Sequence, residues 1–254
     1  MRIGIAGIAG RMGRLLAEEV GAAGATLAGG TVRGTAPTVG ATLFPDAAAL
    51  FAASDVVIDF THAHAARGHA EAAARSGKGL ILGTSGLSAE EEAAVAEAAK
   101  RAPIVYAANF AAGVCLVIAL AEKLAAALPP ESYDAEIVEM HHRQKVDAPS
   151  GTAVAIGRAV AKGRGTTLEA AGRESGRDGH TGTRKAGAIG FAALRGGQVI
   201  GEHTLLFAAG SEHIALTHRS FDRRAYATGA VRAALWLKGK PPGLYSMNDV
   251  LGIA

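Results

Sequence analysis

The sequence predicts an α/β protein in two parts, a parallel doubly wound sheet followed by an α+β domain with a mixed or antiparallel sheet. Three observations carry this. Short apolar runs alternate with helically spaced segments from Arg2 to Tyr106. Past Asn109 that rhythm stops. Abundant Ala and Gly, with only 5% aromatic residues, favour helices and tight turns over an aromatic-rich all-β core. At 254 residues, 49% of them hydrophobic, the chain has ample material for buried cores.

Arg2 to Ala6 is apolar and ends at Gly7, a first strand. Met12 to Gly21 has helical spacing and Thr26 to Val32 is strand-like again, so the chain opens with a βαβ unit. Asp55 to Phe60, Gly79 to Leu82 and Pro103 to Tyr106 continue the strands, with helices over His64 to Arg75 and Ser88 to Arg101 between them. Right-handed crossovers make such a set a parallel sheet. A helix from Ala112 to Ala127 stops before Pro129-Pro130, and Tyr133 to Met140 alternates as a strand. Thr152 to Lys162 is helical, and Gly163 to Gly187 is a polar loop rich in Gly and Arg. Ala188 to Leu194, Gln198 to Leu206 and His213 to His218 have short glycine-containing links and read as an antiparallel meander. Arg224 to Leu237 is a last helix. Spacing alone leaves open which domain it and the tail after Pro241-Pro242 join.

Net charge is +3, with no basic run and no interleaving of basic and aromatic residues, so a nucleic-acid groove is not expected. A pI near 9.1 suits small anionic ligands. Cys115 is the single cysteine and lies in the apolar run Val114-Cys115-Leu116-Val117, a packing position. The longest apolar stretch, Ala111 to Leu128, is interrupted by Glu122 and Lys123 and reads as a buried helix, so no membrane contact is expected. With a strand starting at residue 2 and no apolar leader, the expectation is a soluble cytoplasmic protein.

Between the first strand and first helix stands Gly7-Ile8-Ala9-Gly10-Arg11-Met12-Gly13. Glycines there permit a tight turn and close approach of backbone to a pyrophosphate, whose charge the helix dipole favours. The spacing is G-x-x-G-x-x-G, and its place in the opening βαβ unit marks a Rossmann-like dinucleotide-binding domain. The second strand ends Gly30-Thr31-Val32-Arg33-Gly34, with no acid for ribose hydroxyls and with Arg33 placed to pair with a 2′-phosphate. NADPH is therefore the expected preference over NADH. Two later loops also fall at strand ends, Gly83-Thr84-Ser85-Gly86 and Ala107-Ala108-Asn109-Phe110, where small residues admit a nicotinamide and Asn109 can hold its amide. Taken singly, each is equally compatible with an ordinary turn.

The densest chemistry lies in Glu139-Met140-His141-His142-Arg143-Gln144-Lys145-Val146-Asp147-Ala148-Pro149-Ser150-Gly151-Thr152. It supplies cations for an anion, a proton donor near neutral pH, and backbone amides where a helix starts. At a strand end His141 and His142 point to opposite sides, so one of them at most faces a given substrate atom. Ser150 reads as a helix N-cap, and a carboxylate there would meet amides, the helix dipole and the Thr152 hydroxyl. A metal site on His141, His142 and Asp147 is disfavoured, because adjacent histidines diverge and no H-x-x-x-H or cysteine set completes it. A non-catalytic cofactor-binding sensor would leave the cluster unexplained.

That stretch closely resembles the signature of the 4-hydroxy-tetrahydrodipicolinate reductase (dihydrodipicolinate reductase) family. Arg11-Met12-Gly13, Ile58-Asp59-Phe60-Thr61, Gly83-Thr84, Ala107-Ala108-Asn109-Phe110, Gly179-His180-Thr181-Gly182, Ile189-Gly190-Phe191, Gly201-Glu202-His203-Thr204 and Gly229-Ala230-Val231-Arg232 follow in the family's order. The resemblance implies a usually tetrameric reductase that moves hydride from NADPH or NADH to a small cyclic dicarboxylate in diaminopimelate and lysine biosynthesis. It implies a cofactor domain at residues 1–110 and 222–254, and a substrate-binding and oligomerisation domain at residues 111–221. By the same likeness His141 gives or takes a proton, Lys145 donates one, and His142, Gly151 and Thr152 hold the substrate. Gly7, Ile8, Ala9, Gly10, Arg11, Met12, Arg33, Gly83, Thr84, Ser85, Ala107, Ala108, Asn109 and Phe110 would bind the cofactor. The chain departs from the pattern at Val32, where many relatives carry an acid, and at Ser85 and Ala111, where Thr and Ser are common.

Overall fold

The computed structural model describes residues 1–34 and 40–253 and divides into two compact units, Met1–Ala112 with the chain from Arg223 onward, and Gly113–Asp222.

In the first unit β1 (Arg2–Ala6), α1 (Arg11–Ala22) and β2 (Thr26–Gly30) form the opening βαβ unit. There follow α2 (Ala47–Ala53), β3 (Val56–Asp59), α3 (Ala63–Ser76), β4 (Gly79–Leu82), α4 (Ala89–Ala99) and β5 (Pro103–Tyr106). The inner strands β1, β3 and β4 read as near-continuous apolar runs because helices cover both faces of a parallel sheet. Val57, Leu80, Leu82 and Ile104 pack with Ala66, Ala70, Ala73 and Val95 in one core. Ser88 caps α4, its hydroxyl accepting from the Glu91 amide while the Glu91 carboxylate accepts from the Ser88 amide, which is why the helix starts after Ser88. The sequence expectation missed α2, which Asp46 caps through the Ala49 amide. β2 ends at Gly30 rather than Val32, because the Thr31 carbonyl turns back to accept the Ile8 amide of the glycine loop at 3.0 Å.

In the second unit α5 (Ala112–Ala127) leads to β6 (Asp134–His141), α6 (Gly151–Gly163), α7 (Leu168–Ala171), β7 (Arg173–Ser175), β8 (Ile189–Arg195), β9 (Gly201–Ala208) and β10 (His213–Ser220). The sheet order is β10-β9-β6-β8-β7. Ile137, Phe191, Leu205 and Phe207 on one face pack against Val117 and Ala121 of α5 and Ile156 and Val160 of α6. The expected meander is corrected here. β9 and β10 do form an antiparallel pair, but β6 lies between β8 and β9, parallel to the first and antiparallel to the second. The link between β8 and β9 arches over the end of β6, held by the His142 amide on the Val199 carbonyl at 2.7 Å and the Arg143 amide on the Gly197 carbonyl at 3.3 Å. A five-residue glycine link looks the same in sequence whether it closes a hairpin or spans a strand.

The chain then returns to the first unit with α8 (Arg224–Trp236), β11 (Gly243–Tyr245) and α9 (Met247–Leu251). Arg224 pairs with Glu18 and Glu19 of α1, each at 2.7 Å, and β11 adds in parallel to β5. The first sheet thus reads β11-β5-β4-β3-β1-β2. Its order reverses beside β1, and in open α/β sheets ligands gather at such a switch point, beyond the strand ends.

Candidate active site

In the first unit a cavity of about 820 Å³ opens at that point and is lined by Gly7, Ala9, Gly10, Arg11, Met12 and Arg33 of the residues singled out by sequence. Gly7 has φ +72° and its carbonyl accepts the Gly10 amide at 2.9 Å, a turn that a side chain at residue 7 would strain. Behind it α1 begins, so amides and the positive helix end face the cavity. Arg11, Arg33 and Arg223 border it. Ile8 instead points into the core, with no exposure. Gly83, Thr84, Ser85, Ala107, Ala108, Asn109 and Phe110 follow β4 and β5, outside the lining of this cavity. Thr84 Oγ1 is buried with no partner, a group left for a ligand to satisfy. Asn109 Oδ1 accepts the Ala111 amide at 2.8 Å. Gly83 must be small, since a β-carbon there would meet the Phe60 ring at 2.3 Å.

Sequence reasoning missed the far wall. Asp59 is fully buried at the end of β3, where its Oδ1 accepts from the Thr61 amide at 2.7 Å and hydroxyl at 2.6 Å. Its Oδ2 lies 2.6 Å from His69 Nδ1, so one carboxylate sets both Thr61 and His69 on the cavity wall. A glycine-rich turn that a β-carbon would fill and a cationic rim together fit a dinucleotide.

In the second unit the end of β6 and the start of α6 come together. His141 and Glu139 share the buried face of β6, and His141 Nδ1 lies 2.6 Å from Glu139 Oε2. Burial pulls the His141 pKa below its ordinary value, against an upward pull from Glu139. With Nδ1 engaged, Nε2 is the nitrogen left for proton exchange, and a side chain at residue 201 would crowd it, since a β-carbon on Gly201 would stand 2.9 Å from Nε2. His142 follows the last residue of β6, and its Nδ1 is buried without a partner. Lys145 Nζ donates to both oxygens of Asp147 at 2.7 and 2.9 Å, and this bond holds the Asp147 carboxyl below its usual range.

Ser150 caps α6, its Oγ accepting the Ala153 amide at 3.2 Å, and the first-turn amides that follow, at Gly151 and Thr152, belong to the positive end of the helix. Three residues without an assigned role complete the arrangement. Glu139 accepts from the Ser150 amide at 3.1 Å as well as facing His141, and Arg195 of β8 grips both its oxygens at 2.7 and 2.8 Å. His203 of β9 lies 2.8 Å from Ser150 Oγ through Nε2, with its ring edge-on to His141 at 5.1 Å. The signal for Glu139 was its position two residues before His141 on one strand face. Arg195 and His203 arrive through strand register, Glu139 opposite His203 and His141 opposite Arg195, which spacing does not reveal. Among the described residues no group of three or more His, Cys, Asp and Glu side chains gathers to hold a metal ion.

The cavity of the first unit suits a dinucleotide and the cluster of the second suits a small anion. Comparison with known proteins agrees. The family described as "Dihydrodipicolinate reductase, N-terminus" matches residues 1–110 and that described as "Dihydrodipicolinate reductase, C-terminus" matches residues 113–251. The chain is 65% identical to a 4-hydroxy-tetrahydrodipicolinate reductase of Granulibacter bethesdensis, over 100% of this chain and 97% of that protein. It is 62% identical to the enzyme of the same name from Gluconacetobacter diazotrophicus, over 100% and 98%. Among solved structures it is similar to a dipicolinate-bound dihydrodipicolinate reductase from Paenisporosarcina sp. TG-14, with a TM-score of 0.79 and 25% identity over 97% of each chain. Fold, motif order and full-length likeness together make this chain a member of the dihydrodipicolinate reductase family.

Proposed function

We propose that the chain reduces 4-hydroxy-tetrahydrodipicolinate to tetrahydrodipicolinate in diaminopimelate and lysine biosynthesis, with NADPH preferred over NADH. The observation that carries this is the meeting, at the end of β6, of an imidazole with one nitrogen engaged, an ammonium group and a capped helix start. A bound nicotinamide supplies the hydride. The chain's own residues do the rest. Gly151 and Thr152, at the positive end of α6, hold a ring carboxylate, and His142 contacts the substrate. Hydride addition to a carbon conjugated with a ring imine leaves negative charge on carbon or nitrogen, and a proton from Lys145 Nζ or His141 Nε2 neutralises it.

On this reading the first unit is the cofactor domain and the second the substrate and assembly domain. Arg33 on the cavity rim, with Val32 in place of an acid, supports the preference for the 2′-phosphate. Homotetramer formation in the cytoplasm belongs to the same proposal. The face of the second sheet away from α5 and α6 carries exposed Val138 and Leu194 beside a Thr204–Thr217 pair, a surface suited to self-association. No helix among the described residues is long and apolar enough to cross a membrane.

The test follows cofactor oxidation by absorbance with freshly made cyclic substrate, comparing NADPH with NADH. Substrate-dependent oxidation, faster at limiting NADPH than at equal NADH, is expected. Absence of any substrate-dependent oxidation would sink the reading, and equal use of both cofactors would sink the part that rests on Arg33.

A further inference from the structure

Glu139 joins two pieces of the second-unit site that lie apart along the chain. Its side chain is 1% exposed, and burial opposes its charge. The fork of Arg195, the His141 ring and the Ser150 amide outweigh that penalty and keep the carboxyl below its ordinary pKa. Each oxygen has separate work: Oε2 faces His141 Nδ1 and Oε1 takes the Ser150 amide. Arg195 holds the carboxylate in place and also donates to the Asp147 carbonyl at 2.7 Å, which ties the segment after Lys145 to the same point.

We propose that Glu139 is the positioning residue of the reduction: one buried carboxylate fixes the His141 tautomer and, through the Ser150 amide, the start of the helix that holds the substrate carboxylate. This rests on the reading of the reaction given above. The charge and shape of the group both matter. As an anion it keeps a proton on Nδ1 and favours the imidazolium, the form in which Nε2 carries a proton that it can give to substrate. The groups that face His141 are Glu139 on its own strand, Arg195 from β8, His203 from β9, and Lys145 from the segment after β6, itself paired with Asp147. Of these only Glu139 pulls the imidazole towards its charged form.

Glu139→Gln keeps the shape and removes the charge. Its amide group would donate towards Nδ1 and force the other tautomer. The expected result is a fall in kcat of about 100-fold with unchanged cofactor Kd. The inflection of the rate–pH profile that disappears in His141→Gln should move to lower pH. Nitrogen NMR of histidine-labelled protein should report Nδ1–H for His141 in the wild type and Nε2–H in Glu139→Gln. A fall in rate with the inflection and the His141 signals unmoved would mark Glu139 as merely structural and overturn the proposal. So would an Nε2–H tautomer in the wild type, a measurement that stands even where Glu139→Gln does not fold. The wild-type assay decides the reaction and the tautomer decides this inference, so the two fail separately.

Discussion

A β-carbon on Gly13 would stand 2.3 Å from the carbonyl oxygen of Gly7. The obstacle is backbone on both sides, because the Ile8 carbonyl would be at 2.6 Å, and neither can move without opening the turn that α1 starts from. Gly13→Ala should therefore destabilise the first unit by about 3 kcal/mol and abolish cofactor binding. Urea unfolding and NADPH titration check both, and wild-type behaviour in either would contradict the cradle.

Arg33 is exposed on the cavity rim, with no acid beside it at Val32. Arg33→Ala should weaken NADPH by about 10-fold or more, since a charge-assisted bond to phosphate contributes about 1.5–3 kcal/mol, and leave NADH nearly unchanged. Paired titrations of the two cofactors read this directly. Equal loss for both would assign Arg33 to the shared pyrophosphate instead.

Lys145→Ala should lower kcat by at least about 100-fold and leave cofactor affinity intact, as expected of a proton donor. Asp147 would then lose the ammonium that holds its carboxyl low. A variant with normal turnover would remove Lys145 from the proton path.

His203 gives the pH dependence a sign. Burial foremost, with His141 beside it, pushes its pKa from 6.5 down to about 4. The folded state then binds fewer protons than the unfolded chain between those values, so stability is complete above pH 6.5 and falls as pH drops towards 4, by at most about 1.4 kcal/mol per pH unit. His141 and His218, also pulled down by burial, act in the same direction. Urea midpoints across that range should fall in the wild type and fall less steeply in His203→Gln. Equal slopes would mean that His203 titrates normally.

Much of this was legible in the chain itself. The parallel strands announce themselves because both faces are covered, so Val56-Val57-Ile58 cannot be anything polar. The Gly7 loop and the cluster from His141 to Thr152 are local in sequence, and local pattern found them. What spacing could not supply is register. The position of β6 between β8 and β9 brings Arg195 and His203 to Glu139, and it depends on pairings made across long stretches of chain. Short elements also escaped, since α7, β7 and β11 hold their shape through neighbours rather than through periodicity of their own.

The return of α8 and β11 to the first unit has a consequence for synthesis. The helix that pairs with Glu18 and Glu19, and the strand that covers the edge of β5, follow the whole of the second unit along the chain. As the nascent polypeptide emerges, Gly113–Asp222 can therefore complete its core while the earlier segment still shows a bare strand edge and an unclad face of α1. A released chain truncated at Asp222 should bind chaperone through the older segment, and the full-length chain should not.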